Sequence, residues 1–303
     1  MSPETSPGAA PIAMPKGKAA SWSLGLRVGS AVLFVPLLIL LARAGGLAFL
    51  GFVALQVFMG LVEFYRMMRA KGLRPVVWLG QALAFAVVVF VYRPHTPNAS
   101  LVATAALMLV LALALRYPER KNIVESIAVT AFGVLYVGWL SAHFVLLREL
   151  PWRAGLDYAD GARLVLFAFL VTWSCDVGAY FVGRKFGRTR PWGAISPRKS
   201  LEGSVGGFFF AILGAWIGSL AFMRSAAGVA WLRPWDVLAI GALVGVCGQV
   251  GDLVESLLKR DAESGDSSDL IPGHGGVLDR FDSLYFGAPI VYYYLRVVVF
   301  QAP

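Results

Sequence analysis

Asp252, Glu255, Ser256 and Lys259 recur at i, i+3, i+4 and i+7, so on a helix they form one polar stripe. Asp279 and Asp282 are three apart and share a helical face further along the chain. Two acidic faces on neighbouring helices can grip a divalent cation through oxygen ligands. All six residues belong to a polar stretch, 252–282, that carries eight of the chain's eighteen acids together with Lys259, Arg260, His274 and Arg280. Within it lies Pro272-Gly273-His274-Gly275-Gly276. Glycines there let backbone N–H groups converge on an anion, and His274 can donate to a phosphate. A solvated helix end capped by charge is the plainer reading of the stripe. Against it, Asp252 lies more than a turn inside an apolar run.

Two further groups have chemical potential. Ser196-Pro197-Arg198-Lys199-Ser200-Leu201-Glu202-Gly203 combines two cations with two hydroxyls, a set suited to phosphate oxygens. Basic anchoring at a membrane surface is the alternative, and Ser200 and Glu202 at the mouth of an apolar span favour phosphate. Asp176 sits inside the apolar run Thr172–Tyr180, where an acid is a functional hypothesis by default. Pairing with one of the basic residues that follow, such as Arg184 or Lys185, is the structural alternative.

The elements that must hold these residues are apolar. The chain has 303 residues, of which 58% are hydrophobic and 15% charged, against about 25% charged in soluble domains. Spans of roughly twenty apolar residues are expected at 28–43, 46–65, 76–92, 99–116, 123–147, 163–183, 204–223, 236–257 and 284–301. The predicted fold is therefore all-α, a polytopic integral membrane protein of about nine transmembrane helices. Residues 1–24, rich in Pro, Ala, Ser and Gly, read as a disordered cytoplasmic leader. Residues 25–160 form the N-terminal helices and 161–303 a C-terminal catalytic region. An uncleaved first helix fits the long leader better than a signal peptide does.

Basic residues crowd the loops after spans two, four and six, and the other loops are short or nearly neutral. In that count Arg148 and Arg153 fall in the loop after span five. The positive-inside rule then places the N-terminus, the loop 184–203 and the stretch 258–283 on the cytoplasmic side, as expected of a bacterial-type inner membrane protein. The net charge of +9 lies beside apolar spans, which points to anionic lipid and phosphate substrates, not to nucleic acid. Cys175 and Cys247 fall inside spans, so neither a disulfide framework nor a zinc site is expected. The pairs Gly214/Gly218 and Gly241/Gly245 suit close helix packing within one chain, or the interface of a homodimer.

Taken together, the motifs resemble the phosphatidate cytidylyltransferase (CDP-diacylglycerol synthase) family. Its signature runs from a Ser through Lys-Arg and Lys-Asp to Pro-x-His-Gly-Gly-x-x-Asp-Arg-x-Asp. Ser256, Lys259, Arg260, Asp266, Pro272, His274, Gly275, Gly276, Asp279, Arg280 and Asp282 fall on it in register. Gly265 stands where the family usually has Lys, a departure that bears on one cationic contact in the loop. The stretches around Ser196–Gly203, Asp176–Tyr180 and Gly251–Ser256 also match, so the resemblance is strong over about 170–283.

The resemblance implies transfer of a cytidylyl group from CTP to phosphatidic acid, with the acyl chains left in the lipid bilayer. It implies Mg²⁺, with Asp252 and Asp279 as ligands and Asp282 and Asp266 as further candidates, and leaves room for a second cation such as K⁺. Lys259, Arg260, Asp279 and Arg280 would be catalytic. Asp176, Ser196, Arg198, Lys199, Ser200, Ser256, His274, Gly275 and Gly276 would bind substrate. A rival within the same chemistry is a CTP-dependent kinase of polyprenol or isoprenoid alcohols, which would release CDP instead of pyrophosphate. An ion-coupled transporter fits less well, because the polar residues crowd one end of the spans instead of the midplane.

Overall fold

The computed structural model describes residues 24–92, 122–224, 230–262 and 276–301, with isolated positions at 104, 108, 109, 111, 112 and 228. The expected leader, most of the fourth span at 99–116, Asp266, His274 and Gly275 lie outside the described residues. Among the described residues the protein is all-helical, with one isolated bridge pair, Arg224 and Ala230, and no strand. We number the helices α1 (Leu24–Ala44), α2 (Gly46–Ala70), α3 (Val77–Tyr92), α4 (Ile123–Ala154), α5 (Gly161–Phe186), α6 (Leu201–Ala221), α7 (Pro234–Asp261) and α8 (Leu278–Tyr294).

Five of the described helical segments are long and apolar enough to cross a membrane: Gly46–Ala70, Ile123–Ala154, Tyr158–Phe186, Leu201–Ala221 and Pro234–Asp261. Leu33–Ala44 and Val77–Tyr92 are apolar but shorter. The ninth expected span starts six residues earlier than its apolar run, at Leu278, because Asp279 and Asp282 lie within the helix. α4 also outruns its expected end at 147, so Arg148 and Arg153 sit on a helix and not in a loop. A π-helical turn at Val134–Trp139 interrupts it, with Gly133 against the Tyr65 ring and Gly138 against Ala84. A side chain at either glycine would strike these neighbours, and single π turns of this kind occur as bulges within longer α-helices.

The chain reverses between α1 and α2 at Gly45 and Gly46, whose φ values of 61° and 51° favour glycine. Against this corner packs Arg148, which is fully buried. Its Nε donates to the Ala42 carbonyl at 2.6 Å and one Nη to the Tyr158 carbonyl at 2.9 Å, while the guanidinium lies 4.2 Å from the Tyr158 ring centre. The C-terminal carbonyls of a helix lack intrahelical partners, and a cation suits that end.

The second half packs through glycine. A side chain at Gly206 would strike Val182, one at Gly207 the Cys175 carbonyl, and one at Gly214 the Ser174 hydroxyl, so α6 lies close on α5. Gly241 meets the Ile212 backbone and Gly245 meets Ala211, which seats α7 against α6, and the Cys175 thiol of α5 reaches the Gly245 carbonyl. The two expected glycine pairs are therefore occupied by contacts inside the chain. α7 starts at Pro234, a residue suited to a first helical position, and its Asp236 accepts the Arg233 N–H at 2.8 Å. Asp236 also accepts the Tyr294 hydroxyl at 3.0 Å, which ties the start of α7 to the end of α8. The pair runs antiparallel, and the polar stripe lies at its other end.

Candidate active site

The helical spacing places Asp252, Glu255 and Lys259 on the face of α7 that meets α8. Asp252, Glu255 and Asp282 each offer a carboxylate oxygen, and these oxygens lie within 4.8 Å of one another. Gly251 makes the approach feasible: a Cβ there would come within 2.6 Å of the Asp282 carbonyl and 2.8 Å of the Phe286 ring. Lys259 reaches across, 2.7 Å from Glu255 and 2.8 Å from Asp279. Asp279 also accepts the Gly276 N–H at 2.8 Å, a short-range cap before α8. Asp176 of α5 accepts the Ser283 hydroxyl at 3.0 Å, next door to Asp282.

The loop between α5 and α6 closes over this acidic patch. Lys199 ion-pairs with Asp252 at 2.8 Å, and Arg260 Nε donates to the Ile195 carbonyl at 3.1 Å. The loop's shape is internally enforced. Ser200 caps α6 by accepting the Gly203 N–H at 3.1 Å. Glu202 accepts the Arg188 N–H at 3.1 Å and the Thr189 N–H at 3.0 Å, with the Thr189 hydroxyl at 2.9 Å. Ser196 forms part of a turn: its N–H donates to the Trp192 carbonyl at 2.7 Å and its carbonyl accepts from the Lys199 N–H at 3.2 Å. Ser200 and Glu202 thus shape the loop, and Arg198 and Lys199 are its cationic groups. Arg198, Arg260 and Arg280 are exposed at the rim, and Ser256 is half-buried on the turn after Glu255.

Asp252, Asp282, Asp176, Lys199 and Lys259 therefore converge as their motifs suggested. Asp279 is held by Lys259 and the Gly276 N–H, and the third member of the carboxylate trio is Glu255. Its place in the stripe was visible from the sequence, but its depth was not: it is fully buried. Glu63 on α2 had no motif to announce it. Its two carboxylate oxygens accept the Val277 N–H at 3.0 Å and the Leu278 N–H at 2.8 Å, across more than two hundred residues. The signal was a lone acid in an apolar run, the same signal that marked Asp176. Lys71, at the end of α2, also pairs with Asp261 at the end of α7. The site thus draws on α2 as well as on residues 161–303.

Carboxylates outnumber ammonium groups in this cluster. Asp176, Asp252, Glu255, Asp279 and Asp282 face Lys199 and Lys259, where α5, α7 and α8 meet the loop before α6. An acid-rich set of oxygen donors at this separation fits a hard divalent cation better than a soft or borderline one.

An α-helical bundle with several segments apolar enough to cross a membrane, and an acid-and-lysine cluster at one end, is the architecture of a polytopic membrane protein. A model described as the cytidylyltransferase family matches residues 25–298, and the chain belongs to that family. A phosphatidate cytidylyltransferase of Synechocystis sp. is 33% identical, over 90% of this chain and 97% of its own. One from Bacillus subtilis is 37% identical over 57% of this chain and 60% of its own. One from Staphylococcus aureus is 29% identical over 86% and 93% respectively.

Proposed function

We propose that this protein transfers the cytidylyl group of CTP to phosphatidic acid, giving CDP-diacylglycerol and pyrophosphate. Membership of the cytidylyltransferase family supports the transferred group, and the names of its relatives support the lipid acceptor. The observation that carries the reading is the meeting of Asp252, Glu255 and Asp282 between Lys199 and Lys259. In this reaction a lipid phosphate oxygen attacks the α-phosphorus of CTP. A new P–O bond forms, the bond between the α-phosphorus and its bridging oxygen to the β-phosphorus breaks, and that oxygen leaves with pyrophosphate. The attacking phosphate is already ionised near neutral pH, so no strong base is needed. The protein's task is to align two polyanions and offset their charge.

Asp252, Glu255 and Asp282 would hold Mg²⁺, which when bound supplies charge neutralisation to the phosphates. Lys199 and Lys259 fix the carboxylates' positions. Arg198, Arg260 and Arg280 stand at the rim, where planar guanidinium groups suit phosphate oxygens. We place this end of the bundle at the cytoplasmic face of the membrane, in a chain that crosses it about nine times from a cytoplasmic N-terminus. The basic residues of the loop 184–203 support that orientation.

The test is purified protein in detergent with CTP labelled at the α-phosphate, phosphatidic acid and Mg²⁺. Label should enter the lipid with one pyrophosphate released per lipid formed, and should stay out when Mg²⁺ is chelated. Release of CDP in place of pyrophosphate would overturn the reading.

A further inference from the structure

Glu63 is a fully buried carboxylate seven residues before the end of α2, a distance of about 10 Å along the helix. Burying a charged group in an apolar bundle is costly unless it is paired or hydrogen-bonded. Its two oxygens take the N–H groups of Val277 and Leu278, at 3.0 and 2.8 Å. These are among the donors that a helix leaves unsatisfied at its start, and they lie at the positive end of the α8 dipole. A carboxylate is therefore the best side chain for the place, and it comes from a different helix.

The location matters for what α8 carries. Asp279 is one residue beyond the clasped N–H groups, and Asp282 follows one turn later. Asp282 must meet Asp252 and Glu255 within 4.8 Å, and Asp279 must meet Lys259 at 2.8 Å. Along α7 the contact is set by Gly251, where backbone touches backbone. Nothing in that contact fixes how far α8 slides along its own axis. Side-chain bonds from Ser283 to Asp176 and from Tyr294 to Asp236 restrain α8 further along, and the bidentate grip of Glu63 holds the main chain of its first turn. We propose that Glu63 is a positioning residue: it sets the axial register of α8 and thereby the geometry of the carboxylate trio. The inference rests on the trio being the cation site.

The experiment measures Mn²⁺ binding to the purified full chain by electron paramagnetic resonance, alongside steady-state kinetics. Glu63→Gln keeps one acceptor but turns an amide NH₂ towards a backbone N–H. It should weaken Mn²⁺ binding by roughly 10–100-fold, the usual loss for a residue supporting metal ligands. kcat should fall with it, while KM for phosphatidic acid changes little. Glu63→Asp keeps the charge and should recover part of both losses. Glu149→Gln is the control: Glu149 accepts the Tyr158 hydroxyl at 2.8 Å, next to buried Arg148 and away from the trio, and its loss should leave Mn²⁺ affinity intact. Wild-type Mn²⁺ affinity in Glu63→Gln would overturn the proposal. So would equal losses in Glu63→Gln and Glu149→Gln, or a Glu63→Asp variant no better than Glu63→Gln. If Glu63→Gln does not fold, Glu63→Asp against Glu149→Gln decides alone: reduced Mn²⁺ affinity supports the role and unchanged affinity removes it. Asp282→Asn tests the underlying reading separately, because retained Mn²⁺ binding there removes the trio itself, whatever Glu63 does.

Discussion

Lys259 lies 2.7 Å from Glu255 and 2.8 Å from Asp279, so removing it leaves two carboxylates facing each other away from water. Breaking a buried pair in this way costs about 3–5 kcal/mol, because the remaining charges lose their partner. Lys259→Met should therefore lower the unfolding temperature in detergent as well as abolish turnover. Adding Glu255→Gln to it should restore part of the stability and none of the activity, and a double-mutant cycle would measure the coupling. Asp279→Asn is a different case. It keeps the shape and an acceptor for the Gly276 N–H, so the protein should stay folded while conversion of phosphatidic acid falls by roughly 10–100-fold, the usual loss for a group that supports metal ligands. Near-normal turnover in that variant would remove Asp279 from the catalytic set. These residues were legible in the sequence because helical spacing puts them on one face. Glu255 was legible as a member of the stripe, whereas its burial depends on how α8 covers it. Glu63 was not legible as a partner of α8, since no local pattern links it to residues more than two hundred positions away.

Among the elements, the α7–α8 contact turns on one missing side chain. A Cβ at Gly251 would come within 2.6 Å of the Asp282 carbonyl, which is backbone and cannot swing aside. Gly251→Val should push α8 outward, and Mn²⁺ binding should fail before the fold does. Gly51→Ala on α2 is the comparison, since a Cβ there meets nothing within 4 Å. It should leave activity unchanged and raise stability by up to about 1 kcal/mol, the helix-propensity difference between the two residues. Most helices were visible in the sequence as apolar runs. Their ends were less so. Hydropathy ends a span at the first charges, but α4 carries Arg148 within the helix and α8 carries Asp279 in its first turn, because tertiary partners satisfy both charges. The π-helical turn at Val134–Trp139 left no trace in composition.

At the scale of the molecule, the proposed orientation makes opposite predictions for the two ends. Cysteines introduced at Arg190 and Asp157, with Cys175 and Cys247 replaced by Ala, should react with a membrane-impermeant maleimide from opposite sides of sealed inverted vesicles. Labelling at position 190 should occur from the cytoplasmic side, and the reverse pattern would invert the assigned topology. The two ends are also fastened by different chemistry. At the site end, ammonium and carboxylate groups hold α2, α7, α8 and the loop before α6 together. At the other, Arg148 is bound to main-chain oxygens of the α1 terminus and of the turn before α5. Dissolved ions compete readily with the first kind of fastening and poorly with the second. Amide deuteration slowed by Mg²⁺ and hastened by concentrated chloride should therefore be confined to the catalytic rim, leaving the Gly45 corner as the clamp from which that rim can breathe.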